Sequence, residues 1–179
     1  MPTPTEEQQH LFNTVIAHAG FGANLAPHIR LYEVDDSPEE DERGWRKADG
    51  WKMSCEGTVT QDMCNPNSVL HGAASAWLLD TCTSAALIGI HTPTFWGLPD
   101  LGGVTLTMEI QCLKAAKVGT KYKVDVEIVK CSNRLANLRC EIKDFHTGKI
   151  FATGTHLKIW SGNNAKTGPI DTMAALAKL

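Results

Sequence analysis

The 179-residue sequence predicts a single α+β domain in which one long central helix is wrapped by a curved antiparallel β-sheet. Three observations carry that prediction. Residues 70–90 are almost continuously apolar, and from Val104 onward the apolar residues recur at every second position. The links between those later segments are also too short for parallel crossovers. No other segment is apolar enough to cover such a helix, so the sheet must curl around it.

Residues 5–19, "TEEQQHLFNTVIAHA", predict a short outer helix begun by Thr5, with Glu6 and Glu7 at its positive end and Gly20 past its close. "HIRLYEVDD" (28–36) reads as a strand, and the acidic run at 35–43 as a solvated loop. "GWKMSCEGTVT" (50–60) gives a second strand, with Gly57 as a candidate bulge. A membrane span over 70–90 is rejected because Asp80 near its middle would be costly in lipid and no second span exists.

After the loop at 91–103 the period changes. Val104, Leu106, Met108, Ile110 and Cys112 alternate with polar residues, as do Tyr122, Val124, Val126 and Ile128, so these are half-buried strands. "NLRCEIKD" and "KIFATGTHLKIW" continue the series through a hairpin turn at Gly148. The expected order is therefore one or two strands, the helix and then an antiparallel meander. Residues 1–49 form a helix, strand and acidic loop packed on the core, 50–160 the main domain, and 161–179 a flexible tail.

Composition excludes several classes. With 42% hydrophobic and 21% charged residues the chain is an ordinary globular protein, and a net charge of -3 without a basic run argues against nucleic acid. The six cysteines, at 55, 64, 82, 112, 131 and 140, form no C-x-x-C pair and no zinc-like cluster. Buried free thiols in a reducing compartment, and no metal, are the expectation. The start "MPTPTEEQQH" is acidic and polar, unlike a secretory or mitochondrial leader.

The segment "NPNSVLHGAASAWLLD" places Asn65 and His71-Gly72-Ala73 at the front of the apolar helix and Asp80 partway along it. With "GGVTLTMEI", "AKVGTKYKVDVEIVK" and "TGKIFATGTHLK", it resembles the hotdog-fold acyl-CoA thioesterases of the phenylacetate-pathway type over roughly residues 50–160. Where that family usually has a second glycine after the histidine, this chain has Ala73. The resemblance implies acyl-CoA as substrate, no cofactor beyond the coenzyme A of that substrate, and a homodimer or dimer of dimers with its sites across the interface. Rotation along one helix argues the same way. Nine residues from His71 to Asp80 turn about 900° and rise ~13.5 Å, so the two point apart within one subunit, and a two-fold axis would bring them together.

Thioester hydrolysis requires an activated nucleophile and a stabilised oxyanion. The helix N-terminus offers the N–H of Gly72 as oxyanion donor, the alternative being a glycine that only permits tight packing. Asp80 has no cation at i±3 or i±4, where Ala76, Trp77, Thr83 and Ser84 stand, and such a carboxylate is costly to bury without a role. By resemblance Asp80 is a general base for water or the attacking nucleophile. By the same resemblance Asn65 orients water or the carbonyl, the alternative being a turn residue. The resemblance also aligns Thr105 with a hydroxyl that helps hold the water, and its place on the polar face of the strand agrees. His71 either fixes the loop or takes part in catalysis.

In "KCSNRL", the resemblance places Lys130 and Arg134 near coenzyme A phosphates and Ser132 and Asn133 near its amides, with Lys158 a further phosphate candidate. Phe95 and Trp96 are expected to line or close an acyl tunnel. The terminal Ala177-Lys178-Leu179 resembles the Ser-Lys-Leu peroxisomal signal and would engage an import receptor in a eukaryote, the cytoplasm being the expected site otherwise. Two other functions compete. An enoyl-CoA hydratase is disfavoured because position 85 is Ala, where that group has a histidine five residues after the aspartate, and a non-catalytic acyl-CoA binder because it has little use for Asp80.

Overall fold

The computed structural model describes residues 1–17 and 20–161, built on one six-stranded antiparallel sheet. In chain order the main elements are α1 (Glu6–Ala17), β1 (Ile29–Val34), β2 (Lys52–Thr58), α2 (Gly72–Gly89), β3 (Val104–Cys112), β4 (Lys121–Cys131), β5 (Leu135–Asp144) and β6 (Ile150–Ile159). The predicted tail and its Ala177-Lys178-Leu179 end lie outside the described residues, Ser161 apart.

Local chemistry accounts for the element ends. Thr5 and Gln8 exchange reciprocal bonds at the start of α1: Gln8 N–H donates to Thr5 Oγ1 at 3.2 Å and Thr5 N–H to Gln8 Oε1 at 2.8 Å. Phe12 and Ile16 then turn into the core. β1 runs along β2, so residues 29–34 extend the sheet. The expected bulge at Gly57 is absent, because Gly57 pairs in register with both Ile29 and Tyr122. The irregularity falls in β1 between Leu31 and Glu33.

α2 is buried on all sides but one. Leu78, Leu79, Cys82, Ala86 and Leu87 have no exposed surface, and each of the leucines contributes about 1.5–3 kcal/mol by leaving water. Gly154 of β6 lets the helix lie close, since a side chain there would overlap Leu79. Only Ala73, Ala76, Asp80 and Ser84 form an incompletely covered stripe at three- and four-residue spacing along the helix. Among the described residues, no helix is long and apolar enough to cross a membrane.

The sheet differs from the expected meander in one respect. β4, β5 and β6 are consecutive, with Gly148 at φ +69 turning the last hairpin, but β3 lies beyond β6 in the order β1-β2-β4-β5-β6-β3. The link at 113–120 is no hairpin. It runs against the loop before α2, with Leu70 N–H donating to Ala116 O at 2.8 Å and Val118 N–H to Ser68 O at 3.1 Å. About eight extended residues reach ~25 Å, enough to cross the ~14 Å of three strand spacings. As the terminal strand β3 is not half-buried: Val104 is 55% exposed, Leu106 53% and Met108 40%.

Candidate active site

Two groups of polar side chains flank α2, one at its start and one along its open stripe. At the start, His71 is the N-cap, with extended backbone (φ -71, ψ 143), and its Nδ1 accepts from Ala73 N–H at 2.9 Å. An accepting Nδ1 means a neutral ring that carries its proton on Nε2. Gly72, the first helical residue, has no intrahelical acceptor for its N–H, which lies at the positive end of the helix. Met63 O accepts from His71 N–H at 2.8 Å, and a bridge between Cys64 and Leu70 folds the intervening loop back on the helix start.

Asn65 lies in that loop and serves as a turn residue. Its Oδ1 accepts from Asn67 N–H at 2.9 Å and its backbone carbonyl from Ser68 N–H at 2.9 Å. The Nδ2 amide is left as a donor for a ligand.

The second group gathers around Asp80, whose side chain is 50% exposed. His156 of β6, fully buried, places Nε2 3.8 Å from Asp80 Oδ1 and 2.9 Å from Thr105 Oγ1, and Nδ1 2.6 Å from Thr83 Oγ1. Thr83 already donates to Leu79 O at 2.7 Å. With the Thr83 proton on Leu79 O, its oxygen accepts from Nδ1–H, and Nε2 in that tautomer accepts the Thr105 hydroxyl proton. Burial first, and the Lys158 ammonium second, lower the His156 pKa to about 4 against the opposing pull of Asp80. The ring is neutral near pH 7.

A bulge puts Thr105 there. β3 pairs Thr105 with Lys158 and Met108 with His156, with a register shift between Thr105 and Thr107. The extra residue brings Thr105 onto the helix-facing side with Met108, whereas strict alternation put it on the opposite face.

The strand-and-hairpin candidates are placed as follows. Lys158 is only 4% exposed, and its Nζ donates to Ser84 Oγ at 2.8 Å, so it belongs with Asp80 and not on a phosphate-facing surface. Lys130 Nζ is paired with Asp49 Oδ2 at 2.6 Å, an exposed bond that raises its pKa. Ser132 Oγ holds the turn, accepting from the N–H groups of Arg134 at 3.2 Å and Leu135 at 3.0 Å. Asn133 is half-buried and Arg134 exposed, which leaves Arg134 the freest cation of that hairpin.

Phe95 and Trp96, expected to line or close an acyl tunnel, are packed in the core. They are 1% and 0% exposed, Trp96 Nε1 donates to Ser132 O at 2.8 Å, and its ring stacks on Trp160 at 6.2 Å. They tie the 91–103 loop to the core instead.

Asp80, Thr105 and the unforeseen His156 are thus brought together, whereas Gly72, His71 and Asn65 lie at the other end of the segment. His71 and Asp80 are not opposed across one helix as their spacing predicts, because His71 is an extended cap and the helix begins at Gly72. Eight helical residues from Gly72 to Asp80 turn about 800°, leaving them ~80° apart instead of opposed. The separation survives in the rise of ~12 Å and in the direction of the Gly72 N–H, which points out of the helix start.

Comparison with known proteins agrees with the fold and the sequence signature. The thioesterase superfamily profile matches residues 67–151. Mouse acyl-coenzyme A thioesterase 13 is 32% identical over 107 residues, 60% of this chain and 71% of that protein. Mouse thioesterase superfamily member 2 superposes with a TM-score of 0.67 at 24% identity, covering 87% of this chain and 98% of that one. A Streptococcus pneumoniae hypothetical thioesterase crystallised with coenzyme A superposes at 0.55 and 19% identity, covering 73% and 85%. The chain has the hotdog fold and belongs to the thioesterase superfamily.

Proposed function

We propose that the protein hydrolyses acyl-CoA thioesters to a free acid and coenzyme A, at sites shared by two copies of the chain. The observation that carries this reading is Asp80, a half-exposed carboxylate on an otherwise buried helix, with the Thr105 hydroxyl held beside it by His156. The names of its relatives supply the substrate class: one is an acyl-coenzyme A thioesterase and another was crystallised with coenzyme A.

In this mechanism one water proton points to Asp80 and the other to the Thr105 oxygen, so the water lone pair faces the thioester carbon. Asp80 takes the proton as the C–O bond forms. Negative charge collects on the thioester oxygen and is met by the Gly72 N–H and the Asn65 amide. Collapse breaks the C–S bond, and the leaving thiolate takes the proton back from Asp80. Arg134 at the β4–β5 hairpin is the candidate for a coenzyme phosphate.

A separation of ~12 Å prevents Gly72 and Asp80 of one chain from serving one carbonyl. Support for a second copy comes from the exposed Val104, Leu106 and Met108 on the outermost strand and from the open small-residue stripe of α2. Pairing two such edges around a two-fold axis would set Gly72 of one protomer opposite Asp80 of its partner.

The test is thiol release from a panel of acyl-CoA esters by wild type and Asp80→Asn. Turnover by wild type and its near-complete loss in the variant are expected. Equal rates would remove Asp80 from the chemistry, and tight binding of every ester without turnover would make the protein a binder.

A further inference from the structure

Lys158 is the one buried lysine among the described residues, and it is buried against α2 beside Asp80. A lysine that meets phosphate must present Nζ to solvent, and this one does not. Burying an ammonium is expensive, and an apolar side chain of similar volume would fill the space more cheaply. Its position thus calls for a role beyond packing.

Hydrogen-bond chemistry gives its direction. An ammonium has three donors and no acceptor, so in the 2.8 Å contact Lys158 donates and Ser84 Oγ accepts. The single hydroxyl proton of Ser84 is thereby turned away from Lys158 and towards Asp80 Oδ1, which lies 3.5 Å off at the outer limit of a hydrogen bond. His156 Nε2, at 3.8 Å, approaches the same carboxylate oxygen. The Ser84 hydroxyl falls on Oδ1, and Oδ2 is left for another partner.

We propose that Lys158 and Ser84 are positioning residues for Asp80: the ammonium orients the Ser84 hydroxyl, the hydroxyl anchors Oδ1, and Oδ2 takes the proton of the attacking water. This inference rests on the reading of Asp80 as general base. It also explains why a lysine lies under the helix at that point: a neutral residue there would leave the serine proton free to turn elsewhere.

The experiment measures kcat, KM and thermal unfolding for the full chain and for Ser84→Ala, Ser84→Thr and Lys158→Met, each also in an Asp80→Asn background. Ser84→Ala and Lys158→Met should lower kcat roughly tenfold or more with KM unchanged, and Ser84→Thr, which keeps the hydroxyl, should recover most of it. Lys158→Met should unfold at the same temperature as wild type or higher, because a buried charge has gone. In the Asp80→Asn background neither change should cost anything further.

A rise in KM with kcat intact would overturn the proposal in favour of a coenzyme contact. Loss of kcat that Ser84→Thr does not restore, together with a lower unfolding temperature, would make the pair structural. Should Lys158→Met fail to fold, the comparison of Ser84→Ala with Ser84→Thr still decides. Wild-type turnover with unchanged variants removes the positioning role alone; absence of wild-type thiol release removes it and the functional reading together.

Discussion

Thr105 Oγ1 lies 2.9 Å from His156 Nε2, and in the tautomer set by Thr83 donating to Leu79 O the proton between them belongs to the threonine. A donated hydroxyl proton leaves the Thr105 oxygen with only lone pairs to offer, the arrangement needed to receive a water hydrogen. Thr105→Val keeps the shape and removes the oxygen. It should lower kcat roughly 10- to 100-fold with little change in KM or unfolding temperature. An unchanged kcat would show that Thr105 does not hold the water.

His156 links acid stability to the same contact. Its folded pKa, about 4, lies below the ordinary 6.5, so between those values the unfolded chain binds the extra proton. Stability from this group is therefore whole above pH 6.5 and is lost as pH falls towards about 4. Denaturant midpoints at pH 7 and pH 4.5 should fall more steeply for wild type than for His156→Leu, and equal slopes would contradict the buried neutral ring.

Gly72 allows a test of the oxyanion donor that spares the helix. Proline is tolerated at the first helical position and requires extended backbone before it, and His71 is already extended at ψ 143. An added Cβ would meet nothing closer than Cys112 Sγ at 3.8 Å. Gly72→Pro should fold normally and lose roughly 100- to 1,000-fold in kcat. Full activity would assign the glycine to packing alone.

Trp96 should behave as a core residue. Replacing it by alanine removes a buried ring stacked on Trp160 and a bond to Ser132 O, and should cost about 3–5 kcal/mol in denaturant unfolding. A stable variant with a changed acyl-length preference would restore the expected tunnel role.

Much of this molecule was legible in its sequence because periodicity reports burial. The apolar run marked α2, the alternation marked the strands, and the lone carboxylate in the run marked Asp80. Periodicity cannot report which strand neighbours which, so β3 was expected within the meander and its exposure at the sheet edge went unforeseen. It also cannot see a bulge, which is what carries Thr105 to the helix side.

His156 was missed for a related reason. In "ATGTHLKIW" the apolar Leu157 and Ile159 look like the inward residues, yet Ala152, His156, Lys158 and Trp160 are the buried ones. Counting parity back from the bulky Trp160 would have placed His156 and Lys158 inside, and two ionisable residues on an inward face are a site signal. The role of Lys158 was misread because a lysine near a strand end ordinarily reaches solvent.

The central claim is that Gly72 of one copy and Asp80 of the other make one site. Mixing Gly72→Pro and Asp80→Asn chains, each inactive alone, and allowing them to exchange tests it directly by thiol release. Random pairing makes half the dimers mixed, each with one intact site, so activity should return to about a quarter of wild type. No recovery in dimers verified as mixed would mean that both residues serve a site within a single chain.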